Sequence, residues 1–165
     1  MSRKEIVIGT DSAQETQALG AALAPFLRPG DVISLSGDLG AGKTCFTQGL
    51  ARGMGITERI TSPTFNLIKE YGNSIPLYHF DVYRLHDPSD LYELGFEEYF
   101  YGNGVTVIEW GDKIESLLPR THLRIEFKRL IEEEGRELKI SFGEVRWEQT
   151  IKDWLDVRTK DKNVP

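Results

Sequence analysis

GDLGAGKT, at residues 37–44, matches the pattern G-x-x-x-x-G-K-[ST] at every fixed position. Glycines in such a loop let backbone N–H groups converge on phosphate oxygens, and a helix that begins at about Lys43 adds the positive end of its dipole. Lys43 would place its charge at the β- and γ-phosphates, and the Thr44 hydroxyl would be a ligand of Mg²⁺. The residues expected to cradle the phosphates are Asp38, Leu39, Gly40, Ala41, Gly42, Lys43 and Thr44.

The segments on both sides of this loop have the periodicity of an α/β domain. Residues 4–9 and 31–36 are rich in Ile and Val and predict strands. Between them, Ser12 has the position of a helix N-cap, and residues 16–26 have the spacing of an amphipathic helix. Residues 43–52 predict a second helix directly after the loop. The loop therefore lies between a strand and a helix, as a phosphate-binding loop requires.

The second half of the chain departs from a regular alternation of strands and helices. Its predicted elements are a hairpin of strands 65–71 and 76–83, short helices at 88–94 and 96–101, a buried strand at 105–110, a hairpin of strands 122–130 and 137–142, and a helix at 144–157. Two hairpins require antiparallel pairs. The sequence thus predicts a three-layer α/β domain at residues 1–157 with a mixed parallel/antiparallel central sheet, followed by a polar, flexible tail at 158–165.

Composition and charge limit the functions that the chain can have. Its 165 residues fit one domain, and its net charge is 20 − 26 = −6. An acidic surface repels phosphate backbones, so any contact with RNA would come through a basic partner protein. The single cysteine, Cys45, cannot form an internal disulfide, and the sequence contains no apolar run long enough for a membrane span. We also expect no signal peptide, because the charged start becomes acidic and polar by Asp11. We expect a cytoplasmic protein.

Two acidic residues and one loop are candidates for the rest of a nucleotide site. Asp81 lies in the apolar strand PLYHFDVY, and Glu109 ends the apolar run VTVI. A carboxylate near the metal would suit hydrolysis, but each acid alone could equally be a solvated strand-end residue. Thr64, in the segment SPTF, could belong to a switch loop or to an ordinary turn. Trp110 could pack in the core or support Glu109. Three histidines show no metal-ligand spacing and are interpreted as structural or surface residues: His79, His86 and His122.

The order GDLGAGKT, SPTF, YHFDVYRL and IEW resembles the bacterial TsaE (YjeE) family of P-loop ATPases, which act in the synthesis of threonylcarbamoyladenosine in tRNA. The resemblance extends from about residue 14 to about residue 137 and implies a P-loop fold with an unusual mixed sheet. It also implies ATP and Mg²⁺ as cofactors. The chain has no N-K-x-D guanine motif, and this absence also favours ATP.

The resemblance implies a role for each of several residues. Thr44 and Glu109 would hold the metal, and Asp81 would orient or deprotonate the attacking water. Thr64 would be the switch-loop residue, and Trp110 would support Glu109. Two further contacts would reach the nucleotide, from Arg136 and from Ala13 against the purine.

The resemblance also implies a process and partners. Such proteins act with TsaD and TsaB, which transfer a threonylcarbamoyl group to adenosine 37 of tRNAs that read codons beginning with A. The ATPase would support repeated turnover and would meet tRNA only through the complex. Two other functions stay open: a nucleotide-dependent binding switch whose hydrolysis is incidental, and a small-molecule kinase, which is disfavoured because no arginine-rich lid segment is present.

Overall fold

A mixed sheet of seven strands forms the centre of the fold in a computed structural model, which describes residues 3–63, 66–72, 74–131 and 134–163. The strands are β1 (Lys4–Thr10), β2 (Val32–Gly37), β3 (Ile68–Tyr71), β4 (Leu77–Asp81), β5 (Val105–Glu109), β6 (Leu123–Arg129) and β7 (Arg136–Phe142). Their order across the sheet is β1-β7-β6-β2-β5-β4-β3. The predicted α/β fold with a mixed sheet is confirmed.

The middle of the sheet is parallel and both margins are antiparallel. Strand β2 pairs in parallel with β5 and with β6, and β4 pairs in parallel with β5. Antiparallel pairs join β3 to β4 at one margin, and β6 to β7 and β7 to β1 at the other. The parallel block aligns the carboxyl ends of β2, β5 and β4 at one edge. This is the edge at which open α/β sheets bind their ligands.

Helices cover both faces of the sheet and make three layers. The α-helices are α1 (Ala13–Leu23), α2 (Lys43–Gly53), α3 (Phe96–Phe100) and α4 (Glu144–Asn163), and three 3₁₀ helices span Ala24–Phe26, Pro88–Leu94 and Gly111–Leu117. One core lies under α1, α2 and α4 and includes Leu23, Phe46, Leu50, Trp147 and Trp154. The other lies under α3 and the later 3₁₀ helices and includes Phe80, Leu91, Phe96, Phe100 and Ile108.

Helices α1 and α2 approach each other so closely that a side chain is excluded at their contact. A Cβ atom placed on Gly49 would lie 1.9 Å from the carbonyl oxygen of Gln17. Glycine at this position therefore allows the two backbones to touch. The close contact holds α2, whose first residue is Lys43, firmly against the rest of the layer.

Strand alternation decides which side chains face α2. Leu77 on β4 and Val105 and Val107 on β5 belong to the core under α2, whereas Phe80 and Ile108 belong to the opposite core. Successive residues of a strand alternate between the two faces of the sheet, so side chains two residues apart lie on the same face. His79 and Asp81 therefore follow Leu77 onto the α2 side, and Glu109 follows Val107.

The first helix has the predicted cap but different boundaries. The Ser12 hydroxyl accepts a hydrogen bond from the backbone N–H of Glu15 at 3.0 Å, as the capping-box spacing predicts. The helix nevertheless begins at Ala13 rather than at residue 16, and it ends at Leu23. A 3₁₀ turn containing Pro25 follows, because proline lacks the N–H that would continue the helix.

Two other boundaries differ from the sequence prediction by three residues or more. Strand β3 begins at Ile68 rather than at residue 65, because Leu67 has a left-handed backbone with φ of 65°. Helix α4 continues to Asn163, six residues past its predicted end at 157. Arg158, predicted to open a flexible tail, donates a hydrogen bond to the carbonyl of Gly9 and lies 3.6 Å from Glu15.

The described residues include no helix that is long and apolar enough to cross a membrane. The longest helix, α4, carries charged residues along its length. Its side chains face the core at Trp147, Ile151 and Trp154, at a spacing of three or four residues. The helix is therefore amphipathic and covers the sheet.

A buried ion pair fixes α4 to the start of β2. Asp31 is 8% exposed and receives two hydrogen bonds from the guanidinium of Arg146, at 2.5 and 3.0 Å. We expect Arg146→Met to lower the free energy of unfolding by about 3–5 kcal/mol, because it leaves a buried carboxylate without its counter-ion. Urea unfolding followed by circular dichroism would measure this.

The matched control is Arg124→Met, which removes an arginine whose ion pair with Glu115 is only partly buried. We expect a loss within about 1 kcal/mol for this variant. Equal losses in the two variants would contradict the importance of burial for the Arg146 pair.

Candidate nucleotide-binding site

The P-loop and both candidate acids meet at the carboxyl edge of the parallel block. The loop leaves β2 at Gly37, Glu109 is the last residue of β5, and Asp81 is the last residue of β4. In the sheet register, Glu109 is the partner of Leu35 on one side and of Asp81 on the other. The sheet thus brings together residues that are up to 72 positions apart in sequence, from Gly37 to Glu109.

The loop has the backbone conformation that its glycines permit. Gly42, which precedes α2, has φ of 116°, in the region that favours glycine. A Cβ atom at this position would lie 3.4 Å from the ring of Phe127. The loop therefore passes close to β6, and α2 begins directly behind it with its first N–H groups at the loop.

Lys43 is buried at the base of the loop. Its ammonium donates to the carbonyl oxygens of Gly37, at 2.5 Å, and Asp38, at 2.9 Å, and it lies 3.9 Å from the centre of the Trp110 ring. Burial lowers the pKa of Lys43, and the negative charges of Glu109 and Asp81 oppose that shift. The lysine is thus a partly desolvated positive charge beside two carboxylates.

Trp110 has an unusual backbone that aims its ring at this lysine. Its φ of 65° and ψ of 32° lie in the left-handed region, which is uncommon for a residue with a large side chain. The ring also packs on Tyr83, with 4.8 Å between ring centres. Backbone conformations of this kind are concentrated at functional sites. Trp110 therefore forms one wall of the site immediately after Glu109.

Glu109 connects the P-loop helix to strand β4. Its Oε1 accepts a hydrogen bond from the Thr44 hydroxyl at 2.7 Å, and its Oε2 lies 2.5 Å from Nε2 of His79. Glu109 is 3% exposed and His79 is fully buried. A buried carboxylate needs such partners, because removal of its charge from water is costly.

Asp81 is held beside this group by a different set of donors. Its Oδ1 accepts from the backbone N–H of Tyr83 at 2.9 Å, and its Oδ2 accepts from the hydroxyl of Ser62. The residue is 4% exposed. The structure therefore fixes both oxygens of Asp81 and places the carboxylate at the same cavity as Glu109.

A cavity of about 390 Å³ opens between the loop and the strand ends. This volume is in the range of small-molecule sites. The residues that line it are Leu39, Gly40, Gly42, Lys43, Thr44, Cys45, Ser62, Asp81, Tyr83, Arg84, Glu109 and Trp110. Most of the predicted site residues therefore come together around one cavity.

Several predicted contacts lie at the margin of this cavity or outside it. Arg136 donates a hydrogen bond to the carbonyl of Gly40 at 3.1 Å and so contacts the loop from β7. The carbonyl of Ala13, at the start of α1, accepts from the Cys45 thiol at 3.2 Å. The described residues that line the cavity include neither Arg136 nor Ala13. Ala41 is buried behind the loop. The predicted switch residue, Thr64, lies outside the described residues.

Sequence reasoning missed four residues of the site. His79 was interpreted as structural or surface, yet it contacts Glu109, and three further residues line the cavity: Cys45, Tyr83 and Arg84. Ser62, which belongs to the candidate switch segment SPTF, lines the cavity as well. A signal for His79 exists in the strand LYHFD, because His79 and Asp81 are two residues apart and must share a face. A buried histidine on the face of a candidate acid could have been identified in this way.

A strand, a glycine loop that satisfies the P-loop pattern, a helix and a carboxylate at the next strand end define a P-loop nucleotide-binding protein. Comparison with known proteins identifies the family more closely. The sequence model of a family described as "Threonylcarbamoyl adenosine biosynthesis protein TsaE" matches residues 10–138. The chain therefore belongs to the TsaE family.

Individual relatives and a solved structure agree with this. The chain is 46% identical over 151 residues to the tRNA threonylcarbamoyladenosine biosynthesis protein TsaE of Bacillus subtilis, covering 91% of this chain and 94% of the relative. It is 45% identical over 130 residues to the protein of the same name from Treponema pallidum, and the alignment covers 79% of this chain and 96% of that relative. A crystal structure of Bacillus subtilis YdiB superposes with a TM-score of 0.82 at 40% identity, covering 96% of this chain and 99% of that one.

Lys43 provides a direct test of the site. We expect Lys43→Met to weaken binding of ATP by about 10–100-fold, because a charge-assisted hydrogen bond contributes about 1.5–3 kcal/mol. Titration with a fluorescent ATP analogue would measure the dissociation constant. The control is Lys113→Met, which removes a lysine that also lies over an aromatic ring of the cavity, Tyr83. Equal affinities for the wild type and Lys43→Met would contradict the assignment of the loop.

Proposed function

We propose that this chain is a Mg²⁺-dependent ATPase required for formation of the threonylcarbamoyl group on adenosine 37 of tRNAs that read codons beginning with adenine. It would act with TsaD-like and TsaB-like proteins and support their repeated turnover. The observation that carries the ATPase part is the hydrogen bond between Thr44 and Glu109, with Asp81 beside it. The P-loop hydroxyl thereby meets the acidic groups that hydrolysis requires.

The oxygen atoms at this point fit Mg²⁺. A hydroxyl and a carboxylate are the hard ligands that this ion prefers, and Thr44 Oγ1 and Glu109 Oε1 are 2.7 Å apart. Among the described residues, no group of three or more His, Cys, Asp or Glu side chains could hold a metal by itself. This suits Mg²⁺, which proteins usually bind through one or two side chains together with substrate phosphates and water.

Each residue of the site would have a separate role in hydrolysis. Bound magnesium would neutralise charge that develops on the phosphate oxygens. Lys43 and the loop N–H groups would orient the β- and γ-phosphates, and Glu109 would hold its place through Thr44 and His79. Asp81 would orient the attacking water or take its proton, because its carboxylate faces the cavity at a neighbouring strand end.

The tRNA part of the proposal rests on the family and on charge. The Bacillus subtilis and Treponema pallidum relatives both carry the name tRNA threonylcarbamoyladenosine biosynthesis protein. The chain has a net charge of −6, which disfavours direct binding to an RNA backbone. A supporting role beside partner proteins that hold the tRNA agrees with both, and we place this chain in the cytoplasm with them.

Asp81 gives a test of hydrolysis that is separate from nucleotide binding. We expect Asp81→Asn to lower kcat for ATP hydrolysis by at least about 100-fold and to change ATP affinity little, because loss of a general base or of water positioning acts on the chemical step. A phosphate-release assay with Mg²⁺ would measure this. Glu93→Gln, at an exposed acid of a 3₁₀ helix, is the control. Unchanged turnover in Asp81→Asn would contradict the role of Asp81.

A reconstituted reaction distinguishes an ATPase from a nucleotide-dependent switch. With TsaD, TsaB, tRNA and the threonylcarbamoyl donor, we expect the chain and ATP to support many rounds of modification, and a non-hydrolysable ATP analogue to support about one round per complex. The measurement is modified tRNA per complex over time. Repeated rounds with the analogue would favour the switch. Failure of the chain to bind TsaD and TsaB under every nucleotide condition would contradict the partnership.

A further inference from the structure

The contact between His79 and Glu109 joins two side chains from neighbouring parallel strands. His79 is in β4 and Glu109 is in β5, and the separation of 2.5 Å between Nε2 and Oε2 is that of a short hydrogen bond. Both residues are buried, at 0% and 3% exposure. An ionised carboxylate can only accept a hydrogen bond, so Nε2 of His79 is the donor.

This hydrogen bond determines the orientation of the Glu109 carboxylate. With Oε2 held by His79, the other oxygen, Oε1, points to the Thr44 hydroxyl. The two donors come from β4 and from α2, so they approach the carboxylate from different elements. The χ3 torsion, which sets the plane of a glutamate carboxylate, is broad and has no strong preference of its own. Without the histidine, Glu109 would therefore have one donor fewer to fix the orientation of its carboxylate.

The other nitrogen of His79 argues against a purely structural role. Its Nδ1 is buried and has no hydrogen-bond partner among the described residues. A buried polar atom without a partner lowers stability, and a carbon ring of similar shape would avoid that cost. The histidine therefore costs some stability at this position, and its contact with Glu109 is what offsets that cost.

We infer that His79 is a positioning residue, which holds Glu109 so that Oε1 faces Thr44 and the Mg²⁺ of the bound nucleotide. The inference rests on the proposed Mg²⁺-nucleotide site. It gives His79 no contact with nucleotide or metal. Its effect is to remove rotational freedom from Glu109 before the ion is bound, as partners of metal-binding carboxylates commonly do.

Three substitutions separate the hydrogen bond from the packing of the ring. His79→Gln retains an N–H donor at the position of Nε2, since both nitrogens are three bonds from Cβ. His79→Asn has its donor one bond closer to Cβ and cannot reach Glu109. His79→Phe keeps a ring and removes the donor. The control is His122→Phe, at the other buried histidine, which precedes β6 at the opposite edge of the sheet and whose Nδ1 lies 2.7 Å from the carbonyl oxygen of Pro119.

The measurement is the affinity of the full chain for a fluorescent ATP analogue, once with Mg²⁺ and once with EDTA. The ratio of the two dissociation constants is the gain that Mg²⁺ confers. We expect His79→Phe and His79→Asn to lower this gain by about 10-fold or more. The affinity in EDTA should change by less than about twofold. His79→Gln and His122→Phe should keep the wild-type gain.

The outcomes also separate this inference from the proposed function. A wild-type protein with no gain from Mg²⁺ would overturn the proposed function and the inference together. A normal gain in wild type with an undiminished gain in His79→Phe would overturn the inference alone. If His79→Phe does not fold, as thermal unfolding would show, the comparison of His79→Gln with His79→Asn decides. Equal gains in that pair would overturn the positioning role.

Discussion

The negative charge of Glu109 is almost completely removed from water, and the arrangement of the site depends on how that charge is satisfied. A buried carboxylate is stable only where donors surround it. Here the donors are the first turn of α2, through Thr44, and strand β4, through His79. One side chain thus ties the P-loop helix to two strands, and the positions of the loop and of the strand ends are linked through it.

The parallel block of the sheet brings these hydrogen-bond donors within reach of Glu109. Strands β2, β5 and β4 run in the same direction, so a loop that leaves one strand and acids that end the next two lie at one edge. The two-residue period then places His79, Asp81 and Glu109 on the face covered by α2. An antiparallel β4 would have brought the amino end of that strand to the site instead. The hairpin partner, β3, is accordingly outside the parallel block.

Local sequence patterns predicted the elements better than their ends. The loop at residues 37–44, the two hairpins and the mixed sheet are visible in the sequence, because turn residues and strand periodicity are local properties. The end of α4 is not visible in the sequence, because its last turns contain no glycine or proline that would mark it. The attachment of these turns to β1, by way of Arg158, is a tertiary contact. Leu67 likewise shortens β3 through a left-handed conformation that its residue type does not favour.

The site shows the same limit at the level of side chains. Asp81 and Glu109 could be predicted because an acid that ends an apolar strand is conspicuous, whereas His79 lacks any metal-ligand spacing. Its role depends on the register of β4 with β5, which places the His79 side chain within reach of Glu109. No single-sequence pattern fixes a register between strand residues that are 28 positions apart, the separation of Asp81 and its partner Glu109.

The charges around Lys43 support the proposal that the site takes a nucleotide together with a divalent cation. Lys43 is a partly desolvated positive charge, and four carboxylates act on it: those of Glu109, Asp81, Asp112 and Asp38. A triphosphate that entered alone would bring further negative charge close to these acids in a medium of reduced dielectric constant, where repulsion is strong. A divalent cation held at Glu109 would reverse the sign of that interaction. The same acids that repel the free nucleotide would therefore attract its magnesium complex.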